Sequence, residues 1–151
     1  MAITENEKRN ITFSICAVPQ NKHKETMQNI EACVSELEGY SEEVVNLAKN
    51  NQLEDKEQLW HKIRVTFGSV GYFLTEIEKK TRKTDARAVV KALADSVLAM
   101  FYGTNGKEFT RNNYLLMVEI AQQSLLNLRQ SDEESMRKYF DTLEELRQSI
   151  A

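Results

Sequence analysis

The sequence of 151 residues is long enough for one domain that buries about two-thirds of its unfolded surface, so folding requires neither a disulfide nor a metal. One proline and five glycines argue against a β-sandwich and against a disordered chain, and they favour long helices. The net charge of −3 is unlike the clearly basic charge of most dedicated nucleic-acid-binding proteins, although it leaves room for a local basic surface.

The N-terminus is polar and lacks the apolar core of a signal peptide. The most apolar longer stretch, residues 86–102, is too short to span a bilayer and contains Lys91 and Asp95. We therefore expect a protein of the cytoplasm, or of a host cell's interior, that does not associate with membranes. Cys16 and Cys33 follow no recognisable spacing and are expected to be reduced thiols.

Residues 1–20 are predicted to form an N-terminal arm ahead of a helical domain over residues 21–151. Ile11, Phe13 and Ile15 alternate with polar or small residues, which is the period of a strand. Three interpretations stay open: an extended arm laid over the bundle, a strand that pairs with another chain by edge addition, and a short helix.

A first helix is predicted over residues 24–50. Gly39 and Ser41 interrupt it, because glycine inside a helix costs about 1 kcal/mol relative to alanine and serine favours a new helix start. A kink or a break is therefore expected between them.

The longest helical pattern lies at residues 59–81. Val65 and Tyr72 fall nearly opposite its main apolar face, and a helix that is apolar on two sides is typically central or shared between two chains. Gly68 and Gly71 either allow close approach of another helix or mark a point that bends. The main face recurs at alternating steps of three and four residues: Trp60, Ile63, Phe67, Val70, Leu74 and Ile77.

Three further helices are predicted at about residues 85–102, 110–129 and 131–150, capped respectively by Thr84 or Asp85, by Thr110 and by Ser131. The connections between them are short, which favours antiparallel neighbours. The predicted fold is an all-α bundle of four to five mostly antiparallel helices with an extended N-terminal arm. The off-stripe Leu115, Val118 and Leu126 exceed what one core needs, and either a fifth helix or another chain would cover them.

The strongest polar feature is a basic cluster at the end of the central helix. Basic clusters bind phosphates by releasing counterions, although cations at a helix junction are more often only solvated. No aromatic residue alternates with them, so stacking on single strands is not indicated. Arg111, Asn112 and Asn113 would extend the cluster if the fold brought them near. The cluster comprises Lys79, Lys80, Arg82, Lys83, Arg87 and Lys91.

Catalytic and metal chemistry find little support. His23 and His61 are the two histidines and do not form the paired motif of a di-iron bundle. Cys33 has the neighbours of a buried structural cysteine, and no serine lies in a nucleophile elbow. The loop at residues 103–107 lacks the spacing of a phosphate-binding loop. We therefore expect no enzyme, cofactor or metal.

The sequence favours a non-enzymatic helical protein that binds another macromolecule, most often a protein, as an adaptor, regulator or inhibitor, with a homodimer among its forms. The residues expected at such an interface are Ile11, Phe13, Ile15, Val65 and Tyr72. The alternative is a small helical subunit of a nucleoprotein complex that contacts the RNA or DNA backbone through the basic segment 79–91. A ligand pocket around Trp60 and Phe67 is a third hypothesis.

Overall fold

A computed structural model of the protein describes residues 22–50 and 53–151, and these ranges contain six helices and no strand. The predicted all-α bundle is confirmed. The predicted arm at residues 1–20, with Ile11, Phe13 and Ile15, lies outside the described residues. In chain order the helices are α1 (Lys24–Gly39), α2 (Ser41–Asn50), α3 (Leu53–Lys80), α4 (Thr84–Gly103), α5 (Arg111–Arg129) and α6 (Glu133–Ile150).

The break between α1 and α2 lies at Tyr40, as the sequence predicts. Its hydroxyl donates a hydrogen bond of 2.7 Å back to the carboxylate of Glu36. The buried Tyr114 of α5 donates its hydroxyl to the carbonyl oxygen of Leu37, in the last turn of α1. The end of α1 is thereby fixed against the start of α5, because the hydroxyl adds a hydrogen bond between helices to a last-turn carbonyl that also accepts the N–H of Tyr40 at 3.3 Å.

Helix α3 is the centre of the bundle and packs against α1, α2, α4 and α5. All six residues of its predicted apolar face are buried, from Trp60 to Ile77. Burial of large apolar side chains at every turn supplies the main stabilisation of the fold, about 1.5–3 kcal/mol for each side chain. The periodic pattern therefore located both the helix and its buried side.

The helix starts agree with the sequence at one position and differ at two. Thr110 caps α5 as predicted, accepting a hydrogen bond from the backbone N–H of Asn113. Helix α6 is capped by Asp132, whose carboxylate accepts from the N–H of Ser135 at 2.8 Å, and the prediction of Ser131 was wrong. Ser131 is buried and turns toward Asn127 of α5. Helix α4 begins at Thr84 after Lys83, without a side-chain cap.

Candidate protein interface

The two predicted interface residues of the central helix both lie on the outer surface of α3. Val65 is 47% exposed and Tyr72 is 59% exposed, so no other described element covers them. They are seven residues apart, which places them on the same side of the helix. Tyr72 also contacts the ring of Phe73 edge-on, with centroids 5.5 Å apart. The structure thus brings together the part of the predicted interface that it describes.

Helix α4 lies beside this surface because α3 carries glycine at the points of contact. A Cβ atom on Gly68 would lie 2.9 Å from Cδ2 of Phe101, and one on Gly71 would lie 2.8 Å from Cδ2 of Leu98. Both distances are shorter than real Cβ contacts, so only glycine fits with these neighbours in place. The two glycines therefore allow α4 to approach α3 closely. Of the two interpretations that the sequence left open, close approach or a bend, the structure supports close approach.

Three side chains of α4 widen the apolar surface. Leu98 and Phe101 are half-buried over the glycines of α3, and Tyr102 is 71% exposed. The rings of Phe101 and Tyr102 have centroids 5.2 Å apart. We call the outer surface formed by Val65, Tyr72, Leu98, Phe101 and Tyr102 the hairpin face.

The α4 half of the hairpin face was not predicted from the sequence. Phe101 is half-buried and packs against the core, and the sequence assigned no role to the exposed Tyr102. Leu98 and Tyr102 are four residues apart, a spacing that puts both on one side of a helix. That spacing was the available signal, but it does not reveal that Gly68 and Gly71 lie next to them.

Arg64 of α3 holds the end of α4 in place. Its guanidinium donates hydrogen bonds to the carbonyl oxygen of Phe101 and to the hydroxyl of the buried Thr104, at 2.7 and 2.9 Å. Burial lowers the pKa of Arg64. A cation at a helix C-terminus interacts favourably with the helix dipole, so this contact fixes the position of the Phe101 and Tyr102 backbone.

Helix α5 carries a second exposed apolar pair. Leu115 and Leu126 are both about half exposed, and Val118 is half-buried. Helix α6 therefore does not cover them, which was one of the two outcomes the sequence left open. They are eleven residues apart, about three turns, so a helix would present them on one side but not as neighbours.

The predicted basic cluster lies at the turn between α3 and α4, and we call it the basic junction. Thr81 is buried there and donates its hydroxyl to the carbonyl of Ile77 at 2.7 Å, which leaves the flanking cations outside. Three of the six cations have carboxylate partners in the same chain. These pairs are Lys79 with Glu76 at 3.9 Å, Arg87 with Glu78 at 3.1 Å and Lys91 with Asp95 at 2.6 Å.

The start of α1 approaches the basic junction. His23 is buried, and its pKa is lowered below 6.5 by burial, by Lys80 and by Lys22. Lys22 is therefore near enough to add its positive charge to this end of the bundle. Among the described residues, Lys80, Arg82 and Lys83 form no ion pair.

Arg111, Asn112 and Asn113 do not extend the basic junction. Asn112 and Asn113 both hydrogen-bond Ser149 at the end of α6, and Asn113 also donates to the carbonyl of Glu108. They adjoin Tyr114, which binds the last turn of α1, whereas the basic junction lies at the first turn of α1. The two groups are at opposite ends of the bundle because α1 separates them.

The thiol of Cys33 is half-buried, and its pKa is raised by burial and by Glu36. A raised pKa reduces the thiolate fraction, which is opposite to what a nucleophilic cysteine requires. Within the described ranges, no group of three or more His, Cys, Asp or Glu side chains could hold a metal ion. In the same ranges, no helix is both long enough and apolar enough to cross a membrane.

Comparison with known proteins gives no relative: no protein-family model, no curated protein and no solved structure matches the chain.

Proposed function

We propose that this chain is a non-enzymatic protein that binds another protein through the hairpin face, as an adaptor, regulator or inhibitor. The observation that supports the proposal is the exposure of Tyr72, at 59%, and of Val65 on one side of α3, with a further exposed aromatic residue, Tyr102, on the adjacent α4. Exposed aromatic residues grouped in this way are typical of protein-binding surfaces rather than of surfaces that only face water.

The chemistry of the face suits protein binding. Tyrosine combines a large apolar ring with a hydroxyl and loses little conformational entropy on binding, which is why it is frequent at binding hot spots. Tyr72 and Tyr102 each contact a neighbouring ring, that of Phe73 and that of Phe101. Their positions are therefore partly fixed before any partner arrives, which reduces the entropic cost of association.

Contacts between α3 and α4 hold the backbone beneath the face. Gly68 and Gly71 hold α4 against α3, and Arg64 fixes the end of α4 through two hydrogen bonds. A preorganised surface binds more tightly than a mobile one of equal area, since less order is created on binding. This arrangement supports a binding function for the hairpin face more than it supports catalysis.

A photo-crosslinking amino acid placed at Tyr72 tests the proposal in the cells from which the protein comes. We expect a covalent adduct with a protein, either another chain or a second copy, identified by mass spectrometry. The matched control is the same probe at Arg137, a 70% exposed side chain on α6. Adducts at both positions would indicate nonspecific reaction, and the absence of any adduct at position 72 would refute the proposal.

A second candidate function is contact with the RNA or DNA backbone through the basic junction. Lys80, Arg82 and Lys83, which form no ion pair with any other described residue, support it together with the nearby Lys22. Against it, the other three cations of the segment are paired with carboxylates, which lowers their attraction for phosphate. We therefore rank it below protein binding.

Salt dependence distinguishes the second candidate. If three unpaired cations contact phosphates of a duplex, the logarithm of affinity should fall with the logarithm of salt concentration at a slope of about −3. Replacing Lys80, Arg82 and Lys83 by glutamine should remove most of that slope. Replacing the paired Lys91 by glutamine is the control, and it should leave the slope nearly unchanged. Absence of binding at low salt would eliminate this candidate.

A further inference from the structure

The outer surface of α3 carries a regular stripe that continues beyond Val65 and Tyr72. Its members follow one another at steps of three and four residues, so they lie on one side of the helix. The stripe runs Lys62, Val65, Ser69, Tyr72, Glu76 and Lys79. None of its side chains is buried in this chain. A stripe with this period is the pattern by which one helix packs against another.

Two charges of the stripe are placed symmetrically about Ser69: Lys62 and Glu76 each lie seven residues from it, about 10 Å along the helix in opposite directions. The third charge, Lys79, lies beyond Glu76 and pairs with it in the same chain at 3.9 Å. Val65 and Tyr72 flank Ser69 at four and three residues. A twofold rotation about an axis through Ser69 therefore exchanges a cation for an anion and one apolar residue for another.

We infer that the protein bound at the hairpin face is a second copy of this chain, with the two α3 helices packed antiparallel across a twofold axis at Ser69. This inference rests on the proposed function and names its partner. In that arrangement Lys62 lies opposite Glu76 of the second copy, and the pair occurs twice. Val65 lies opposite Tyr72 of the second copy, and the small Ser69 allows the helices to approach.

The charge pattern disfavours the parallel arrangement. Parallel helices in register would place Lys62 against Lys62 and Glu76 against Glu76 of the second copy, and like charges facing each other oppose association. Symmetric pairing of one surface with itself is the most frequent form of homodimer.

The α3 pairing also places the two α4 helices along the same edge of the interface. Leu98 and Tyr102 of each copy then lie beside the central contact. Their apolar area would add to that of Val65 and Tyr72, so the dimer uses the whole hairpin face. Lys62 and Glu76 are 14 residues apart on one helix, about 21 Å, so they do not interact within one chain.

Analytical ultracentrifugation over a dilution series tests the inference on the full chain. We expect a reversible equilibrium between the monomer of 17.4 kDa and a dimer of twice that mass. Tyr72→Asp should abolish the dimer, because it places a carboxylate at the centre of each apolar contact. Leu126→Asp, at a similarly exposed apolar residue of α5, is the matched control and should leave the equilibrium unchanged.

Charge reversal provides the decisive comparison. Lys62→Glu and Glu76→Lys should each weaken the dimer about tenfold, because each creates two like-charge pairs. The double variant Lys62→Glu/Glu76→Lys should restore the wild-type dissociation constant. Lys62→Glu should keep the thermal stability of the monomer, since Lys62 is exposed. The two variants that contain Glu76→Lys also lose the surface pair of Glu76 with Lys79, so only a small loss of monomer stability is expected for them.

The outcomes separate the inference from the proposed function. Restoration in the double variant supports the antiparallel dimer. A monomer at every concentration overturns it. So does a dimer whose dissociation constant is unchanged by all of these substitutions. If the crosslinker at position 72 then captures a different protein, the hairpin face remains a protein-binding surface. If it captures nothing, the proposed function fails as well.

Discussion

The guanidinium of Arg64 contacts Phe101 in two ways at once. It donates a hydrogen bond of 2.7 Å to the carbonyl oxygen of Phe101, and it lies 4.8 Å from the centroid of the same residue's ring. The ring in turn fills the space above Gly68. One arginine of α3 therefore fixes both the backbone and the side chain of the residue that supports the hairpin face.

We predict that Arg64→Ala destabilises the protein by about 1.5–3 kcal/mol, because hydrogen bonds from a charged donor are worth that much and the Phe101 carbonyl loses a partner. Arg64→Lys should recover only part of the lost stability, since an ammonium does not reproduce the planar geometry by which the guanidinium donates two hydrogen bonds. Urea unfolding measures the change. The control is Arg137→Ala, which removes an exposed pair with Glu133 and should cost less than about 0.5 kcal/mol. Equal effects at both positions would contradict the prediction.

Substitution of the two α3 glycines by alanine should have unequal effects. At Gly68 the new Cβ meets the Phe101 ring, which Arg64 holds, so overpacking of about 1–3 kcal/mol exceeds the gain of about 1 kcal/mol in helix propensity. At Gly71 it meets Cδ2 and Cγ of Leu98 at 2.8 and 2.9 Å and Cγ1 of the buried Val97 at 3.2 Å. The Leu98 side chain is only half-buried and has room to shift outward, so we expect a smaller loss than at Gly68.

Gly39→Ala is the matched control for both glycine variants. No atom lies within 4 Å of a Cβ at this position, so the substitution should stabilise the protein by up to about 1 kcal/mol. Chemical denaturation of the three variants ranks their free energies of unfolding. Gly68→Ala as stable as Gly39→Ala would show that α4 yields easily at this contact.

Alkaline unfolding should depend on Tyr139. Its ring is fully buried between α4 and α6, and burial raises its pKa from 10.0 to about 12. Because the folded state disfavours the phenolate, the resulting stability is present below pH 10 and is lost as the pH rises toward 12. The loss amounts to about 2–3 kcal/mol.

The comparison with Tyr139→Phe isolates this contribution. Phenylalanine does not ionise, so the variant should lose less stability than the wild type between about pH 9 and pH 11.5. The pKa of Tyr114 is also raised by burial. Because Tyr114 is present in both proteins, its contribution to the pH dependence cancels in the comparison. Parallel stability curves for the two proteins over this range would contradict the assignment.

Mild acid should destabilise the basic end of the bundle through His23. The pKa of His23 is below 6.5 in the folded state, so the folded state disfavours the imidazolium. Stability is therefore complete above pH 6.5 and declines as the pH falls through the folded pKa. Proton NMR of the imidazole measures that pKa, with His61→Gln identifying which of the two histidines gives the signal.

Lys80→Gln should raise the pKa of His23 toward 6.5, because it removes one of the two cations that oppose protonation. Lys91→Gln, at the far side of the junction and paired with Asp95, should leave it unchanged. A His23 pKa that stays constant in Lys80→Gln would show that Lys80 does not contribute and that burial and Lys22 account for the lowered value.

Several elements were predictable because their signal is local. The face from Trp60 to Ile77 repeats with the helical period, and the break near Tyr40 follows from a glycine beside a serine. The exposure of Val65 and Tyr72 also followed from their angular position on the helix. Caps were less certain: Ser131 and Asp132 are both good cap residues, and the packing of Ser131 against α5 decided in favour of Asp132.

The sequence alone determined where the helices lie and which side of α3 is buried, because both depend on residues within a few turns of each other. The tertiary structure decided which surfaces meet. Arg64 and Thr104 are 40 residues apart, and the contacts of Leu98 and Phe101 with Gly71 and Gly68 join different helices. The partner of Arg87, Glu78, likewise lies across a turn. Helical periodicity contains no information on these pairings, since they follow from the way α4 folds back along α3.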